Sequence, residues 1–401
     1  MPENRDRVLI TVTGRDRAGI TATLTGILSE QGATLHDIEQ VVVQGQLTLC
    51  LLVGLSHARD ILKELLFAAK EMGMELDFKP VTSSDGPGAN GAGEAGRRYV
   101  ITAIGRTLGA SHLNAIAATL AAEGANIEKI SRLSEGSLAS VEIHALLAAG
   151  GDRDVLKRSL LAVATRSGFD VSLQRESLYR RSKRLVVMDM DSTLIRIEVI
   201  DELARAAGVG EAVAKITERA MQGEMDYDES LRQRVGLLAG LDVQVLDRIA
   251  NDLPLTEGAE TLIRVLKRLG YRTAVISGGF SRAADALKRR LGIDYAFSNN
   301  LEVEGGKLTG RVVGPIVNAQ RKAELLELIA QLEGVLLDQV IAVGDGANDV
   351  LMLEKAGLGI AFHAKTKLRE AADTTISDSG LDAILYLLGL SGRELQEVGT
   401  A

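Results

Sequence analysis

The sequence predicts two small α+β modules of ferredoxin-like order, followed by one larger Rossmann-like α/β domain built on a parallel sheet. Three observations carry this reading: a strand and helix pattern that occurs twice before residue 177, a Gly-, Ala- and Ser-rich break between the two copies, and apolar strands alternating with helices from Arg184 onward. The 401 residues exceed what one hydrophobic core usually holds, so more than one domain is the starting expectation.

The first copy spans 6–82. An apolar strand at 8–13 leads to a helix at 20–31, strands at 35–43 and 47–53, a helix at 58–71 and a last strand at 74–79. Residues 83–96, SSDGPGANGAGEAG, contain no large apolar side chain, cannot bury a core, and read as a flexible linker. The second copy, 97–176, repeats the order: strand 99–104, helix 111–123, strands 127–133 and 138–146, helix 153–167, strand 169–173. EQGATLHDI at 30–38 parallels AEGANIEKI at 122–130, and Gly32 and Gly124 each stop the preceding helix. The order βαββαβ lays two helices on one face of an antiparallel sheet.

Gly14-Arg15-Asp16-Arg17-Ala18-Gly19 joins the first strand to the first helix. Glycines there let backbone approach a ligand, and the following helix N-terminus favours an anionic group such as an amino-acid carboxylate. Gly105-Arg106-Thr107-Leu108-Gly109, the equivalent in the second copy, lacks the aspartate. In topology, repetition and this loop the pair resembles ACT domains. The resemblance implies an amino-acid effector site at Gly14, Asp16 and Gly19 and a homodimer formed through residues 6–175.

In the third domain, 182–392, the strands are continuous apolar runs, as in a parallel sheet covered on both faces. The run 185–188 ends in Asp189-Met190-Asp191-Ser192-Thr193, two carboxylates just past the carboxyl end of a strand, where open α/β sheets place ligands. A strand at 271–276 ends in Ser277-Gly278-Gly279, whose hydroxyl and amides suit a phosphate oxygen. Lys322, on a helix that begins near Asn318, supplies a compact positive charge. A strand at 340–343 ends in Gly344-Asp345-Gly346-Ala347-Asn348-Asp349, an acidic turn suited to a hard cation such as Mg2+.

These four segments, in this order, resemble the haloacid dehalogenase superfamily. The resemblance implies Asp189 as nucleophile, Asp191 as general acid and base, and Ser277 and Lys322 on the transferring group. Mg2+ is then held by Asp189, Asp191 and Asp345, with Asp349 one step removed. Both roles given to the aspartates accord with what carboxyl groups can do in covalent and proton-transfer catalysis.

An insertion of helical pattern at 198–253 reads as a small cap that closes over a small substrate. DMDSTLIRIEVID at 189–201, GEMDYDESLRQRV at 223–235, and the blocks TEGAE, SGGF, DYAFSN and VGDGANDVLML further on are similar to the phosphoserine phosphatase subfamily. This implies hydrolysis of O-phospho-L-serine to L-serine, the last step of serine biosynthesis. Glu198 would meet the substrate ammonium and Arg234 its carboxylate. Met221 and Tyr227 would wall the pocket, with Gly278, Gly279 and Asn348 also at the substrate. L-serine is the expected effector. Three alternatives stay open: a phosphatase for another small monoester, a phosphotransferase using the same aspartyl-phosphate, and a sensor with an inactive hydrolase domain.

The net charge of −8 argues against a nucleic-acid partner. The one basic run, Arg180, Arg181, Lys183 and Arg184, is expected on a solvated linker face. Cys50 is the only cysteine, which excludes an intramolecular disulfide and fits a reducing cytoplasm. The five histidines, His36, His57, His112, His144 and His363, show no metal-ligand spacing and are read as structural or surface residues. No segment approaches the ~18 apolar residues of a membrane span, so no membrane role is expected.

Overall fold

In the computed structural model, which describes residues 6–56, 58–81, 96–135, 139–364 and 366–400, the first copy forms a unit of its own. Strands β1 (Asp6–Arg15), β2 (Thr34–Val43), β3 (Gln46–Leu55) and β4 (Glu75–Val81) lie in the antiparallel order β2-β3-β1-β4. Helices α1 (Ile20–Glu30) and α2 (Ala58–Glu71) cover one face. Period-two alternation puts Val8, Ile10 and Val12 of β1 beside Leu49, Leu51 and Val53 of β3, and Leu24 and Leu65 of the helices close the core. The strand β1 runs two residues further than the sequence pattern suggests, because Gly14 and Arg15 pair with Leu47 and Gln46 of β3. The anticipated 14–19 loop is therefore shorter by its first two residues. Gly14 sits where a Cβ would press on Met74, a close approach that a glycine permits.

The second copy repeats the topology. It comprises β5 (Arg97–Ile104), α3 (Ala110–Ala122), β6 (Ala125–Arg132), β7 (Ser140–Leu147), α4 (Arg153–Ser167) and β8 (Asp170–Arg175). Its sheet continues into that of the third domain. The order is β12 (Lys307–Val313), β11 (Tyr295–Glu304), β10 (Arg272–Phe280), β9 (Leu185–Met188), β13 (Val340–Gly344), β14 (Leu358–Phe362), β15 (Thr374–Ile376), β8, β5, β7 and β6, and the join is the antiparallel pair Thr374 and Ser172, whose hydroxyls bond at 2.6 Å. Except for Gly96, the expected linker at 83–96 lies outside the described residues, as do His57 and residue 138 of the expected strand 138–146.

After the short helix α5 (Leu178–Arg181), the third domain proceeds through β9 (Leu185–Met188) and then four helices: α6 (Val199–Ala206), α7 (Gly210–Met221), α8 (Tyr227–Gly236) and α9 (Val243–Asn251). Next come α10 (Ala259–Arg268), β10 (Arg272–Phe280), α11 (Ser281–Leu291), β11 (Tyr295–Glu304) and β12 (Lys307–Val313). The chain ends with α12 (Ala319–Leu332), β13 (Val340–Gly344), α13 (Val350–Lys355), β14 (Leu358–Phe362), α14 (Thr366–Ala371), β15 (Thr374–Ile376), α15 (Ile384–Leu387) and α16 (Gly392–Thr400). Strands β11, β10, β9, β13, β14 and β15 are mutually parallel. Both faces are buried, as the unbroken apolar runs require: Val186, Met188 and Ile341 face one layer, Val187, Ala274 and Ala342 the other. Strand β10 does not stop at Ile276 as expected. It continues through Ser277-Gly278-Gly279-Phe280, with a register shift against β11 between Ile276 and Phe280.

The basic run corrects another expectation. Arg180 and Lys183 are buried, not solvated, while Arg181 and Arg184 are exposed. The reason is a packed junction. Arg180 pairs with the buried Glu142 of β7, and Lys183 Nζ donates to the Asp338 carbonyl at 2.6 Å. No helix among the described residues is long and apolar enough to cross a membrane.

Candidate active site

Four chain segments bring their side chains together at the carboxyl ends of β9, β10 and β13. Asp189 follows β9 directly, its amide bonded to the Val343 carbonyl at 2.9 Å. Its Oδ1 accepts the Met190 amide at 2.7 Å, which fixes the carboxylate, and its Oδ2 lies 2.7 Å from Lys322 Nζ. Lys322 is fully buried and also reaches Asp349 Oδ1 at 2.7 Å. It is placed there by α12, whose first turn is capped by Asn318 Oδ1 accepting the Arg321 amide at 3.0 Å. Burial alone would lower the lysine pKa, but Asp189 and Asp349 outweigh it and hold the ammonium above the usual lysine range.

Asp191 faces another way. Its Oδ1 accepts the Val199 amide at 2.9 Å, at the start of the helical insertion, and its Oδ2 accepts from Ser277 Oγ at 3.2 Å. Burial, Glu198 and Asp189 push this carboxyl well above the usual aspartate range. Ser277 Oγ also accepts the Gly279 amide at 2.8 Å. A Cβ at Gly279 would strike Asp191, so only glycine lets the loop come this close.

The turn after β13 completes the acidic side. Asp189, Asp345 and Asp349 each offer a carboxylate oxygen, and these oxygens lie within 4.8 Å of one another. Three carboxylates face one ammonium. Burial, Asp189 and Asp349 push Asp345 up to about 7, and burial and Asp189 push Asp349 up to about 6. A hard divalent cation among these oxygens would relieve that repulsion, so the donor set fits such an ion. Asp191 contributes no side-chain oxygen to this cluster. Thr193 Oγ1 donates to Asp345 Oδ1 at 3.2 Å and so orients it.

The insertion brings the remaining expected residues. Ser192 takes a left-handed φ of 57°, rare for a residue with a Cβ, and its hydroxyl donates to Glu198 Oε1 at 2.8 Å. Burial raises the Glu198 carboxyl above its usual range, although the Ser192 bond opposes this. Arg234 is half-buried on α8, its Nε donating to the Ser230 carbonyl at 3.3 Å. Tyr227, the first residue of α8, donates to the Gly278 carbonyl at 3.3 Å, and burial pushes its hydroxyl up to about 12. Asn348 stands beside Gly346, half-buried, in the turn between Asp345 and Asp349. The side chain of Met221 lies outside the described residues. In the separate first unit, Asp16 and Gly19 are exposed after β1, and Gly14 lies within that strand.

Sequence reasoning passed over Asn299, Asp228 and the role of Asn318 beyond its helix. Asn299 is 1% exposed and bonds to the Gly278 carbonyl at 2.7 Å. A single buried amide has no periodicity or spacing to betray it. Asp228 looks like an ordinary first-turn acid.

The haloacid dehalogenase-like hydrolase family matches residues 183–357, and ACT-domain families match 6–79 and 98–174. A phosphoserine phosphatase from Streptomyces coelicolor is 44% identical over 393 residues, covering 98% of this chain and 94% of that one. A phosphoserine phosphatase from Mycobacterium tuberculosis is 44% identical over 391 residues, covering 97% of this chain and 94% of that one. Among solved structures, a haloacid-dehalogenase-family hydrolase from Salmonella enterica serovar Typhi aligns with a TM-score of 0.64 at 31% identity, covering 72% of this chain and 98% of that one. With the residues converging at the ends of β9, β10 and β13, these likenesses over nearly the full length place the chain in the phosphoserine phosphatase family of haloacid dehalogenase-like hydrolases, with two ACT domains ahead of the hydrolase.

Proposed function

We propose that the chain hydrolyses O-phospho-L-serine to L-serine and phosphate through an aspartyl-phosphate on Asp189, with Mg2+ as cofactor. The observation that carries this reading is the convergence of Asp189, Asp191, Ser277 and Lys322, with Lys322 Nζ 2.7 Å from Asp189 Oδ2 and Ser277 Oγ 3.2 Å from Asp191 Oδ2. An Asp189 oxygen attacks phosphorus while the ester bond to the serine oxygen breaks and Asp191 gives that oxygen its proton. Asp191 then takes a proton from the water that opens the aspartyl-phosphate. Lys322, Ser277 and the amides at Gly278 and Gly279 stabilise charge on the phosphoryl oxygens. The Asp189 and Asp345 carboxylates and the Asp191 backbone carbonyl would hold Mg2+, with Asp349 beside them; bound there, the ion neutralises charge between the nucleophile and the phosphate.

Substrate choice rests on the insertion. Glu198 takes the ammonium and Arg234 the carboxylate of the serine moiety, Met221 and Tyr227 wall it, and Asn348 lies at the phosphate side. Phosphate release from O-phospho-L-serine, O-phospho-L-threonine, glycerol phosphate and a nitrophenyl ester, with and without Mg2+, tests both parts. The expected outcome is an Mg2+-dependent preference for phosphoserine that disappears in Asp189→Asn. A flat profile would remove the roles given to Glu198 and Arg234.

L-serine is further proposed as an effector at Gly14, Asp16 and Gly19 of the first unit, and homodimerisation through the ACT domains accompanies it. The edge strand β2 supports the dimer, for Leu35, Ile38, Val42 and Val43 are exposed on it. An Asp16→Ala chain that responds to serine as the parent does would remove the effector site, and a monomer in sedimentation would remove the dimer.

A further inference from the structure

The helical insertion meets the core of the hydrolase at the first turn of α8, and the polar contacts there close into a circuit. Tyr227 donates its hydroxyl to the Gly278 carbonyl at 3.3 Å, and the same carbonyl accepts from Asn299 Nδ2 at 2.7 Å. Asn299 Oδ1 in turn accepts the Val317 amide at 2.8 Å, so both ends of this buried side chain are used. The next residue, Asn318, donates through Nδ2 to Asp228 Oδ1 at 3.1 Å, returning to the first turn of α8. The path therefore runs from the insertion to the loop that carries Ser277, across Asn299 to the start of the helix that carries Lys322, and back.

We propose that this circuit is a latch: Tyr227 and Asp228 hold the insertion shut over the site, and Asn299 is a positioning residue that sets the Ser277 loop against the Lys322 helix. The inference rests on the phosphatase reading for what is enclosed, but not for the contacts themselves. Two hydrogen bonds across a part-buried seam are weak enough to open in every turnover. Together they bias an open and closed equilibrium by roughly ten- to a hundredfold. Asn299 differs from them because it joins two core segments and stays in place whether the insertion is open or shut. Its amide has one orientation that satisfies a carbonyl and an N–H at once, which fixes the spacing between Gly278 and Val317.

Hydrogen exchange on the full chain without ligand reads the latch directly. In the double variant Tyr227→Phe, Asp228→Ala, amides of residues 230–235 are expected to exchange roughly ten- to a hundredfold faster than in the parent, while those of α9 keep their rates. Turnover of O-phospho-L-serine by that variant is expected to show KM raised about tenfold, with kcat reduced less or raised, since opening also releases product. Asn299→Ala is expected to do the reverse, lowering kcat per folded molecule with little change in KM; thermal unfolding supplies the folded fraction. Unaltered exchange at 230–235 in the double variant would overturn the latch. Unaltered kcat per folded Asn299→Ala molecule would overturn the positioning role. If exchange responds as expected while the parent does not hydrolyse phosphoserine, the latch stands and the substrate assignment falls.

Discussion

Lys322 and Asp349 form an ion pair with neither side chain exposed, Nζ to Oδ1 at 2.7 Å. The same ammonium reaches Asp189, so one cation serves two carboxylates that burial and mutual repulsion would otherwise drive apart. Lys322→Met leaves both without a counter-charge. Breaking a buried pair from one side costs about 3–5 kcal/mol, and removing one electrostatic stabiliser costs about 10²–10³ in kcat. Denaturant unfolding without added metal and phosphate release with Mg2+ measure the two losses. A variant that loses activity but keeps its stability would mean that the pair contributes nothing net to the fold.

A second buried pair, Arg180 with Glu142, joins α5 to β7. Burial pushes the Glu142 carboxyl up, but the Arg180 guanidinium, with hydrogen bonds from Arg180 and His144, outweighs it and holds Glu142 below the usual glutamate range. The folded chain thus binds this proton less readily than the unfolded chain. The stabilisation is fully present above the unfolded glutamate pKa of about 4.3 and is lost as pH falls through the lower folded value. Glu142→Leu is expected to lower stability by about 3–5 kcal/mol near pH 7, with the gap from the parent narrowing below about pH 4. Denaturant melts over a pH series measure it; a constant gap would place the cost in packing instead of charge.

That pair also marks where the sequence stops being legible. Strand and helix order, the ACT repeat and the catalytic segments can be read because each is local: apolar runs of fixed period, and acids or glycines set just past a strand end. Arg180 reads as linker because its partner, Glu142, is 38 residues upstream, and no local pattern announces the contact. Asn299 is silent for the same reason. The extension of β10 through Ser277 to Phe280 is hidden because two glycines ordinarily signal a stop, and only pairing of Phe280 with Asn299 overrides them. The continuation of the hydrolase sheet into the second module hangs on one bridge, Thr374 with Ser172.

That continuation has a thermodynamic consequence. Ile104, the last residue of β5 in the second module, is packed in the same cluster as Met188, Ile341 and Ile384 of the hydrolase. Gln174 Nε2 donates to the Leu387 carbonyl across the same boundary at 3.1 Å. Residues 96–400 should therefore unfold as one cooperative body. Ile104→Ala is expected to cost about 2–5 kcal/mol and to shift the unfolding of both parts together. Hydrogen exchange in α4 and in α12, followed through the denaturant transition, checks this. Loss of protection in α4 alone would show that the second module melts independently.

The Gly278 position offers a test of the site by compensation. Its φ lies outside the left-handed region, so alanine is acceptable to the backbone there, but a Cβ would run into the Tyr227 hydroxyl and approach Tyr227 Cζ to 3.2 Å. Gly278→Ala is therefore expected to push α8 away from the phosphate loop. Displacement on the scale of an ångström costs about 10²-fold in kcat/KM. Adding Tyr227→Phe removes the atom that collides and leaves the ring contact, which a small side-chain shift can absorb. The double variant is expected to recover about tenfold over Gly278→Ala alone, even though Tyr227→Phe by itself impairs the enzyme. Such a reversal of sign can arise only if the two groups touch during turnover. Additive losses would mean that α8 stands away from Gly278 when substrate is bound.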